Sequence, residues 1–401
     1  MTDFAAYNQS FSVPYDYPVH FARDVFATGN PLLADVLDRR GEHRRHRCQV
    51  YVDAGLAAAH PTLLGRIKEH FHAHPRRMEL AGAPEIVPGG EAAKTGWSNV
   101  RDVMWTLGNL HLDRQSFVIA IGGGGMLDMV GFATSIVHRG LRLVRMPTTT
   151  LAAGDAGVGL KNGMNEHGLK NFVGTFAPPF AVINDFSFLP TLAFEHWIGG
   201  VAEAFKVAII KDAAFLDFLA ANAAALRQRN QAVMEAVVGR TALLHLDHIR
   251  TGGDPFEFGS ARPLDFGHWA AHKLEAMTGF GIGHGQAVAV GIAVDSYYAM
   301  RQGLLTEAEF KTVIDAMLAC GLRVWHDALD ERTPEGNAAI LAGLDDFREH
   351  LGGALTVTLP AHLGSKTEVH HVDIGAVRQA IEWLKERDAA AGGKCSDSQI
   401  A

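Results

Sequence analysis

The sequence contains only three cysteines in 401 residues, Cys48, Cys320 and Cys395, and they are scattered along the chain. Such sparse cysteines exclude a disulfide-stabilised scaffold and predict a reducing compartment, the cytoplasm. The sequence also lacks an apolar run of about 20 residues, the length a helix needs to span a bilayer. Its first residues show no basic region followed by an apolar core, so we expect neither a signal peptide nor a membrane partner.

Basic side chains are in the minority. The chain has 36 Lys+Arg against 44 Asp+Glu, which gives a formal net charge of −8. This balance argues against a general nucleic-acid-binding protein. Charged residues make up 20% and hydrophobic residues 48% of the sequence, which excludes a disordered chain and predicts an extensive buried core.

The N-terminal half alternates short apolar or β-branched runs with longer helical patterns. Strands are predicted at 48–56, 116–125, 141–150 and 180–189, and helices at 63–74 and 126–140. Strands alternating with helices are typical of βαβ units in a mostly parallel sheet. We therefore predict a Rossmann-like α/β domain over residues 1–192.

The composition and hydrophobic pattern change after about residue 193, where long amphipathic segments rich in alanine and leucine follow one another. This pattern predicts an all-α C-terminal domain over residues 193–385. One segment within it, residues 351–364, is typical of a short strand or hairpin. The last residues, 386–401, lose hydrophobic periodicity, and we predict a disordered tail there.

A run of four glycines, Gly122 to Gly125, stands between a predicted strand and a predicted helix. Glycines let backbone amides approach a pyrophosphate closely, and a helix N-terminus adds partial positive charge. The pattern therefore favours a dinucleotide site, although a tight structural turn is the alternative. Acidic and basic side chains that could contact a nucleotide are Asp53 at a strand end, Glu91 and Lys94 after a second glycine turn, and Asp128. Each acid could instead cap a helix or face solvent.

The helical half contains a set of residues typical of a catalytic divalent metal. Glu203 shares a helix face with Lys206, and His268 shares one with His272, while His284 lies in a glycine-rich turn before a helix. Glutamate with two histidines is a ligand set that leaves a position open for substrate or water. The chain has 21 histidines, so an ordinary buried polar role is the alternative for each of them.

The segment 147–179 is dense in glycine and polar residues and lies between two predicted strands. We expect a long loop without regular structure, which in a compact domain is usually functional. Five of its side chains could converge on one anionic substrate: Asp155, Lys161, Asn162, Lys170 and Asn171.

Taken in order along residues 48–300, these motifs resemble those of the sugar phosphate cyclases, the superfamily of 3-dehydroquinate synthase. The resemblance is carried by PGGE…K, GGGG-x-x-D-x-x-GF, PTT…D-x-x-V-G-x-K, KN-x-x-G-x-F, G-x-x-AE-x-x-K, DFGH-x-x-x-H and GHG-x-AVAVG. It implies the dehydroquinate synthase-like fold, an α/β nucleotide-binding domain followed by a helical domain, and an enzyme that eliminates phosphate from a sugar phosphate.

The resemblance also implies a function for individual residues. NAD would be held by Asp53, Glu91, Lys94, Gly123, Gly124, Gly125, Asp128, Thr148 and Thr149. Zinc or cobalt would be bound by Glu203, His268 and His284. The substrate would be surrounded by Asp155, Lys161, Lys170, Asn171, Lys206 and His272. Arg139 would reach the phosphate in the neighbouring subunit's site, which implies a homodimer.

Departures from the family's pattern concern the substrate. Quinate-forming members hold a carboxylate with a lysine and an arginine, and counting back from His268 places Asp247 and Ala261 there, with Asp265 at an expected asparagine. In the family's double-lysine segment the chain has FREHLGGALTVTL (347–359), which includes His350. Exchanging cations for an acid and a methyl disfavours a carboxylate and favours a neutral polyol. Asp247, Asp265 and His350 are therefore candidate substrate contacts, unless Arg262 or Arg250 restores the lost charge.

In these departures the chain resembles the sedoheptulose 7-phosphate cyclases of the 2-epi-5-epi-valiolone type, which implies an NAD- and metal-dependent enzyme acting on that sugar phosphate. Three alternatives remain open: 3-dehydroquinate synthase itself, a metal-dependent alcohol dehydrogenase, and a non-catalytic binding protein. An alcohol dehydrogenase would need neither Lys161 and Lys170 nor Arg139, because it has no phosphate to bind.

Overall fold

A computed structural model describes residues 6–42, 44–256, 264–350 and 353–390. Its strands are β1 Val19–Ala22, β2 His46–Asp53, β3 Met78–Leu80, β4 Glu85–Val87, β5 Phe117–Gly122, β6 Arg142–Pro147, β7 Lys161–Glu166, β8 Leu169–Phe176, β9 Ala181–Asp185, β10 Val357–Pro360 and β11 Lys366–Val369. The α-helices of the N-terminal half are α1 Leu32–Leu37, α2 Ala54–Ala59, α3 Leu63–Ala73, α4 Ser98–Asn109, α5 Gly124–Ile136 and α6 Thr150–Gly154. Those of the C-terminal half are α7 Phe194–Lys211, α8 Ala213–Ala221, α9 Ala223–Arg227, α10 Gln231–Thr251, α11 His268–Met277, α12 His284–Arg301, α13 Glu307–Cys320, α14 Gly343–His350 and α15 Ile374–Ala390.

Seven strands of the N-terminal half form one parallel sheet, in the order β1-β9-β6-β5-β2-β3, with β4 also pairing with β2. The predicted α/β architecture is confirmed. After β2, the next two strands, β3 and β4, pair with one edge of β2, and β5 then pairs with its other edge. In a doubly wound sheet, such a reversal opens a crevice at the carboxyl ends of the two strands.

Both faces of this sheet are covered by helices. Side chains alternate along β2, so Val50 and Val52 pack into the core beneath α1 and α3, while Tyr51 points to the core beneath α4 and α5. A strand buried on both faces is expected to be almost continuously apolar, as β5 is. The sheet is therefore rigid where its strands end, which is where the glycine run begins.

The C-terminal half is helical, as predicted, and has its own large core. α7 and α12 lie at its centre, and nearly all of their residues are buried. The short antiparallel pair β10–β11 confirms a hairpin near residues 351–364, although it extends further along the chain. Of the helices the structure describes, none combines the length and the apolar character needed to cross a membrane.

Three sequence-based expectations need correction. The segment 147–179 is not an irregular loop, because it contains α6 and the antiparallel hairpin β7–β8. The predicted tail at 386–401 begins too early, since α15 remains helical to Ala390 and packs Leu384 into the core; residues 391–401 lie outside the described part. Strand β1 was not predicted, and it pairs in parallel with β9 at the edge of the sheet.

Candidate functional site

The structure brings Glu203, His268 and His284 together from three helices. Glu203 is in the middle of α7 and is 1% exposed, whereas the two histidines are the first residues of α11 and α12. His268 Nε2 lies 3.7 Å and His284 Nε2 lies 3.5 Å from Glu203 Oε1. One ligand atom from each residue fits within 4.8 Å of the others. The predicted triad is thus arranged so that all three could hold one ion.

The turn before His268 is fixed by a buried carboxylate. Gly267 adopts φ 79°, a left-handed conformation that favours glycine, and a Cβ there would lie 2.8 Å from the Ile292 amide nitrogen. Asp295 Oδ2 accepts a hydrogen bond from the Gly267 amide (3.0 Å), and its Oδ1 accepts one from Trp269 Nε1 (2.8 Å). The histidine between these two residues is therefore held from both sides.

The hydrogen bonds of the two histidines leave the same ring nitrogen available. His268 Nδ1 lies 3.1 Å from the Phe266 carbonyl oxygen, and His284 Nδ1 lies 3.2 Å from both carboxylate oxygens of Glu275. Because these partners are acceptors, Nδ1 is the donor in each ring, and Nε2 is the nitrogen left to bind an ion once its own proton is displaced. Both Nε2 atoms face Glu203, so the three side chains are aimed at one point, as metal ligation requires.

The electrostatics of the triad fit a divalent cation. Burial raises the pKa of Glu203, but Lys206 outweighs it and lowers the pKa to about 2, so the carboxylate is ionised. Among the described residues, neither Glu203 oxygen accepts a hydrogen bond of good geometry, although Lys206 Nζ lies 2.5 Å from Oε2. Burial lowers the pKa of His284, but Glu275 and Glu203 raise it to about 9. An anionic pocket that attracts a proton this strongly also suits a metal ion.

A group of charged and polar side chains lies beside the triad. Lys206 Nζ is 3.8 Å from Asp155 Oδ1, and His245 Nδ1 is 2.7 Å from the same oxygen. Burial raises the pKa of Asp155, but Lys206 and His245 hold it well below its usual range. The ring of His272 is 5.4 Å from that of His268, and burial keeps the pKa of His272 well below its ordinary value. Predicted residues Asp155, Lys206 and His272 are therefore neighbours of the triad.

Two residues of this cluster, Glu275 and His245, were missed by sequence reasoning. Glu275 is 1% exposed, and its Oε1 lies 2.5 Å from Lys170 Nζ on the β7–β8 hairpin. The signal for Glu275 was its spacing: it follows His272 by three positions on α11 and so shares its face. No comparable pattern distinguishes His245 within the long α10.

The predicted nucleotide residues meet at the carboxyl ends of β2 and β5. Asp53 caps α2, since its Oδ1 accepts hydrogen bonds from the amides of Gly55 (2.8 Å) and Leu56 (3.3 Å). A Cβ on Gly122 would lie 2.6 Å from Asp53 Cβ. A Cβ on Gly125 would collide with the carbonyl oxygen of Gly90 in the second glycine turn. The glycines thus let two turns and a carboxylate approach one another, and α5 begins at Gly124, directly after Gly123.

The remaining predicted nucleotide residues connect this edge to the hairpin. Lys94 Nζ donates to Asp128 Oδ2 (2.7 Å) and to Asn171, and Glu91 Oε2 accepts from Asn165 Nδ2 (2.8 Å). Lys170 lies 3.3 Å from Glu91. The threonines after β6 are also engaged: the Thr148 amide donates to Gly122 O, and Thr149 Oγ1 caps α6. The hairpin therefore joins the glycine turns to the triad.

Comparison with known proteins gives the family. The 3-dehydroquinate synthase N-terminal model matches residues 85–199, and the 3-dehydroquinate synthase C-terminal model matches residues 200–341. Together they cover more than half of the chain. The chain belongs to the 3-dehydroquinate synthase family of sugar phosphate cyclases.

Relatives within this family include both valiolone-forming and quinate-forming enzymes. The chain is 33% identical over 373 residues to 2-epi-valiolone synthase of Actinosynnema mirum, covering 92% of each chain. It is 34% identical over 318 residues to 3-dehydroquinate synthase of Sulfolobus acidocaldarius, covering 77% of this chain and 85% of the relative. The structure resembles 2-epi-5-epi-valiolone synthase of Streptomyces hygroscopicus subsp. jinggangensis, solved with NAD⁺ and Zn²⁺ bound: TM-score 0.84, 29% identity, 95% of this chain and 100% of that one.

Some residues expected from the family's pattern lie away from the triad. Arg139 follows α5 at the end opposite Gly124, roughly 20 Å along a 13-residue helix, so it cannot contribute to the site of its own subunit. Asp247 is exposed and pairs with Arg250 (2.6 Å). It is two positions from His245, and a helix turns such residues to nearly opposite sides. The expectation that Asp247 contacts the substrate is therefore not supported.

The other expected substrate residues have mixed positions. Lys161 begins β7 and is exposed, whereas Asn162 is buried and accepts a hydrogen bond from Arg145. Asp265 directly precedes the turn of His268 and is half-buried. His350 ends α14, but its side chain lies outside the described part, as do Ala261 and Arg262.

Proposed function

We propose that this chain is a sedoheptulose 7-phosphate cyclase that uses NAD and zinc to form a C7 cyclitol of the 2-epi-5-epi-valiolone type. Family membership supports a sugar phosphate cyclase, and the Glu203–His268–His284 triad with the glycine turns supports the two cofactors. The substrate is argued from the charges beside the triad. We also propose a homodimer, with Arg139 completing the site of the partner subunit.

The observation that carries the choice of substrate is Asp265. It is half-buried and close enough for its charge to act on Lys206 and His268: it adds to the rise in the pKa of Lys206 and partly opposes burial and Lys206, which together lower the pKa of His268. An acid here would repel a substrate carboxylate and accept hydrogen bonds from hydroxyl groups. Arg250, which could have restored a cation, is exposed and paired with Asp247. A polyol end therefore fits this position better than a carboxylate.

The chain's own residues would each supply part of the chemistry. When bound, NAD would take and return a hydride, and zinc would polarise two adjacent substrate oxygens. Lys161 and Lys170 supply positive charge for the leaving phosphate. His272 is held neutral by burial, so its ring can exchange hydrogen bonds with the substrate without adding charge. Lys206 stays protonated, because Asp155 and Glu203 raise its pKa against burial, and it fixes both carboxylates.

The proposal is tested by offering the purified enzyme, loaded with NAD and zinc, two substrates. We expect phosphate release from sedoheptulose 7-phosphate and little from the carboxylated 3-deoxy-heptulosonate 7-phosphate, with no net accumulation of NADH. Release from the carboxylated sugar alone would establish the quinate-forming alternative, which the similarity to 3-dehydroquinate synthase keeps as the second candidate. Net NADH formation from a simple alcohol would instead indicate a dehydrogenase.

A further inference from the structure

Arg145 is a buried cation to which the family comparison assigns no function. It lies inside β6, in the central sheet, and is 1% exposed. No carboxylate of the described residues forms an ion pair with its guanidinium, and its Nε has no hydrogen-bond partner there. A buried charge without a counter-ion is costly, and an apolar side chain of similar size would avoid that cost. What the guanidinium forms instead are hydrogen bonds, which an apolar side chain could not make.

Among the described residues, the side-chain hydrogen bonds of Arg145 all go to one short segment. Nη1 donates to the carbonyl of Gly159 (2.8 Å) and, at 3.4 Å, to those of Ala156 and Gly157. Nη2 donates to the carbonyl of Lys161 (2.9 Å) and to Asn162 Oδ1 (2.7 Å). The guanidinium therefore binds both ends of the stretch that runs from Asp155 to Lys161.

This stretch has little structure of its own. It connects the end of α6 at Gly154 to the start of β7 at Lys161, and it contains Gly157 and Gly159. Tyr17 Oη makes one further contact, donating to the Val158 carbonyl (2.8 Å). Without the fork of donors from Arg145, the carbonyl groups of Gly159 and Lys161 would each lose a hydrogen bond, and the segment would be held only by its remaining contacts.

The segment carries two residues that the proposed reaction needs. Asp155 stands at its beginning, 2.7 Å from His245 Nδ1 and 3.8 Å from Lys206 Nζ, next to the triad. Lys161 stands at its end. We propose that Arg145 is a positioning residue that holds Asp155 and Lys161 in the geometry required for turnover. The proposal rests on the proposed cyclase function for its kinetic consequence but not for its structural one.

The test compares Arg145→Met and Arg145→Lys with the wild-type enzyme, and uses Arg240→Met as a control. Arg240 pairs with Asp212 (2.6 Å) in the helical half and is half-exposed, so its loss does not touch the segment. For each protein we would measure amide hydrogen exchange, the affinities for zinc and NAD, and kcat and KM for phosphate release. A displacement of about 1 Å in a catalytic group can cost about 100-fold in rate.

For Arg145→Met we expect faster exchange confined to residues 156–163, a fall in kcat of about 100-fold, and zinc and NAD affinities within about twofold of wild type. Arg145→Lys should recover part of kcat, since an ammonium can bond some of the carbonyls but lacks the fork. Unchanged exchange and kcat in Arg145→Met would overturn the proposal. So would exchange that is raised throughout the chain together with loss of both ligands, because that describes a general structural role.

Failure of the cyclase proposal would be distinguishable. If the wild-type enzyme releases no phosphate from any sugar phosphate, the proposed function is wrong, and the exchange data alone then decide on Arg145. Exchange raised only at residues 156–163 would still support its action on the segment, and unchanged exchange would refute it.

Discussion

Replacing Glu275 should weaken metal binding even though Glu275 is not one of the three predicted ligands. Both of its carboxylate oxygens lie 3.2 Å from His284 Nδ1, and they fix the ring so that Nε2 faces Glu203. Loss of such an orienting partner typically costs 10- to 100-fold in metal affinity. At about 1.4 kcal/mol for each tenfold change, this is about 1.4 to 2.8 kcal/mol of binding free energy.

Two substitutions of Glu275 should lower zinc affinity by different amounts. Glu275→Gln keeps one oxygen that can accept from Nδ1, and we expect a loss near the lower end, about tenfold. Glu275→Met removes every acceptor and should approach a loss of about 100-fold. Both are measured by competition with a zinc chelator, and cobalt substitution reports the ligand geometry through its absorption spectrum.

Lys170→Met is the comparison variant, because Lys170 Nζ lies 2.5 Å from Glu275 Oε1 and 3.4 Å from His284 Nδ1 but supplies no acceptor to the ring. If Glu275 acts by orienting His284, removing the lysine leaves zinc affinity unchanged or slightly higher, since a cation leaves the neighbourhood of the metal. Equal zinc affinity in wild type and Glu275→Met would refute the reasoning. A large loss in Lys170→Met would also refute it, because it would show that the ion pair matters more than the ring orientation.

Three further predictions concern other parts of the site. Gly125→Ala should lower NAD affinity by at least about tenfold, because the new methyl collides with the Gly90 carbonyl, and should leave zinc affinity unchanged. Both affinities are measured by calorimetry. An NAD affinity equal to that of the wild type would show that the two glycine turns can separate freely. Mixing the inactive variants Arg139→Ala and Glu203→Gln should restore about a quarter of wild-type activity, because about half of the dimers are then hybrids and each hybrid contains one intact site out of two. If subunit exchange is proven and no activity returns, the site is not shared between subunits. Burial raises the pKa of Asp295 to about 7, from 3.8 in the unfolded chain. The protonated side chain therefore stabilises the fold fully below about pH 4, and this stabilisation is lost as the pH rises to about 7. The melting temperature of metal-free Asp295→Asn should therefore improve relative to wild type over this pH range, and a constant difference would contradict the shift.

The fold and the individual residues of the candidate metal triad could be predicted because their signals are local. The glycine run sits directly between a buried strand and a helix, and His268 and His272 are one helical turn apart, so short-range periodicity is enough to read both. Glu203 was found through the same periodicity in α7. The grouping of Glu203, His268 and His284 into one site came from the family resemblance, because three helices far apart in the sequence bring them together.

The residues that were missed depend on contacts between distant segments. The partner of Glu275 is Lys170, 105 positions away, and the contact between Asp155 and His245 joins a loop to the middle of a long helix. The β7–β8 hairpin was missed because β8 alternates exposed and half-buried residues without a strong apolar run. Its burial comes from the helices it packs against rather than from its own composition.

Strand β1 has a practical consequence for anyone who shortens this protein. The family model begins only at residue 85, and a truncation designed on it would discard β1, Tyr17 and all of β2. Removing even the first 22 residues would leave the outer edge of β9 unpaired and would release the Val158 carbonyl from Tyr17. An N-terminal deletion of this kind would therefore damage the parallel sheet and the segment that carries Asp155, and a loss of activity in it would say nothing about the chemistry.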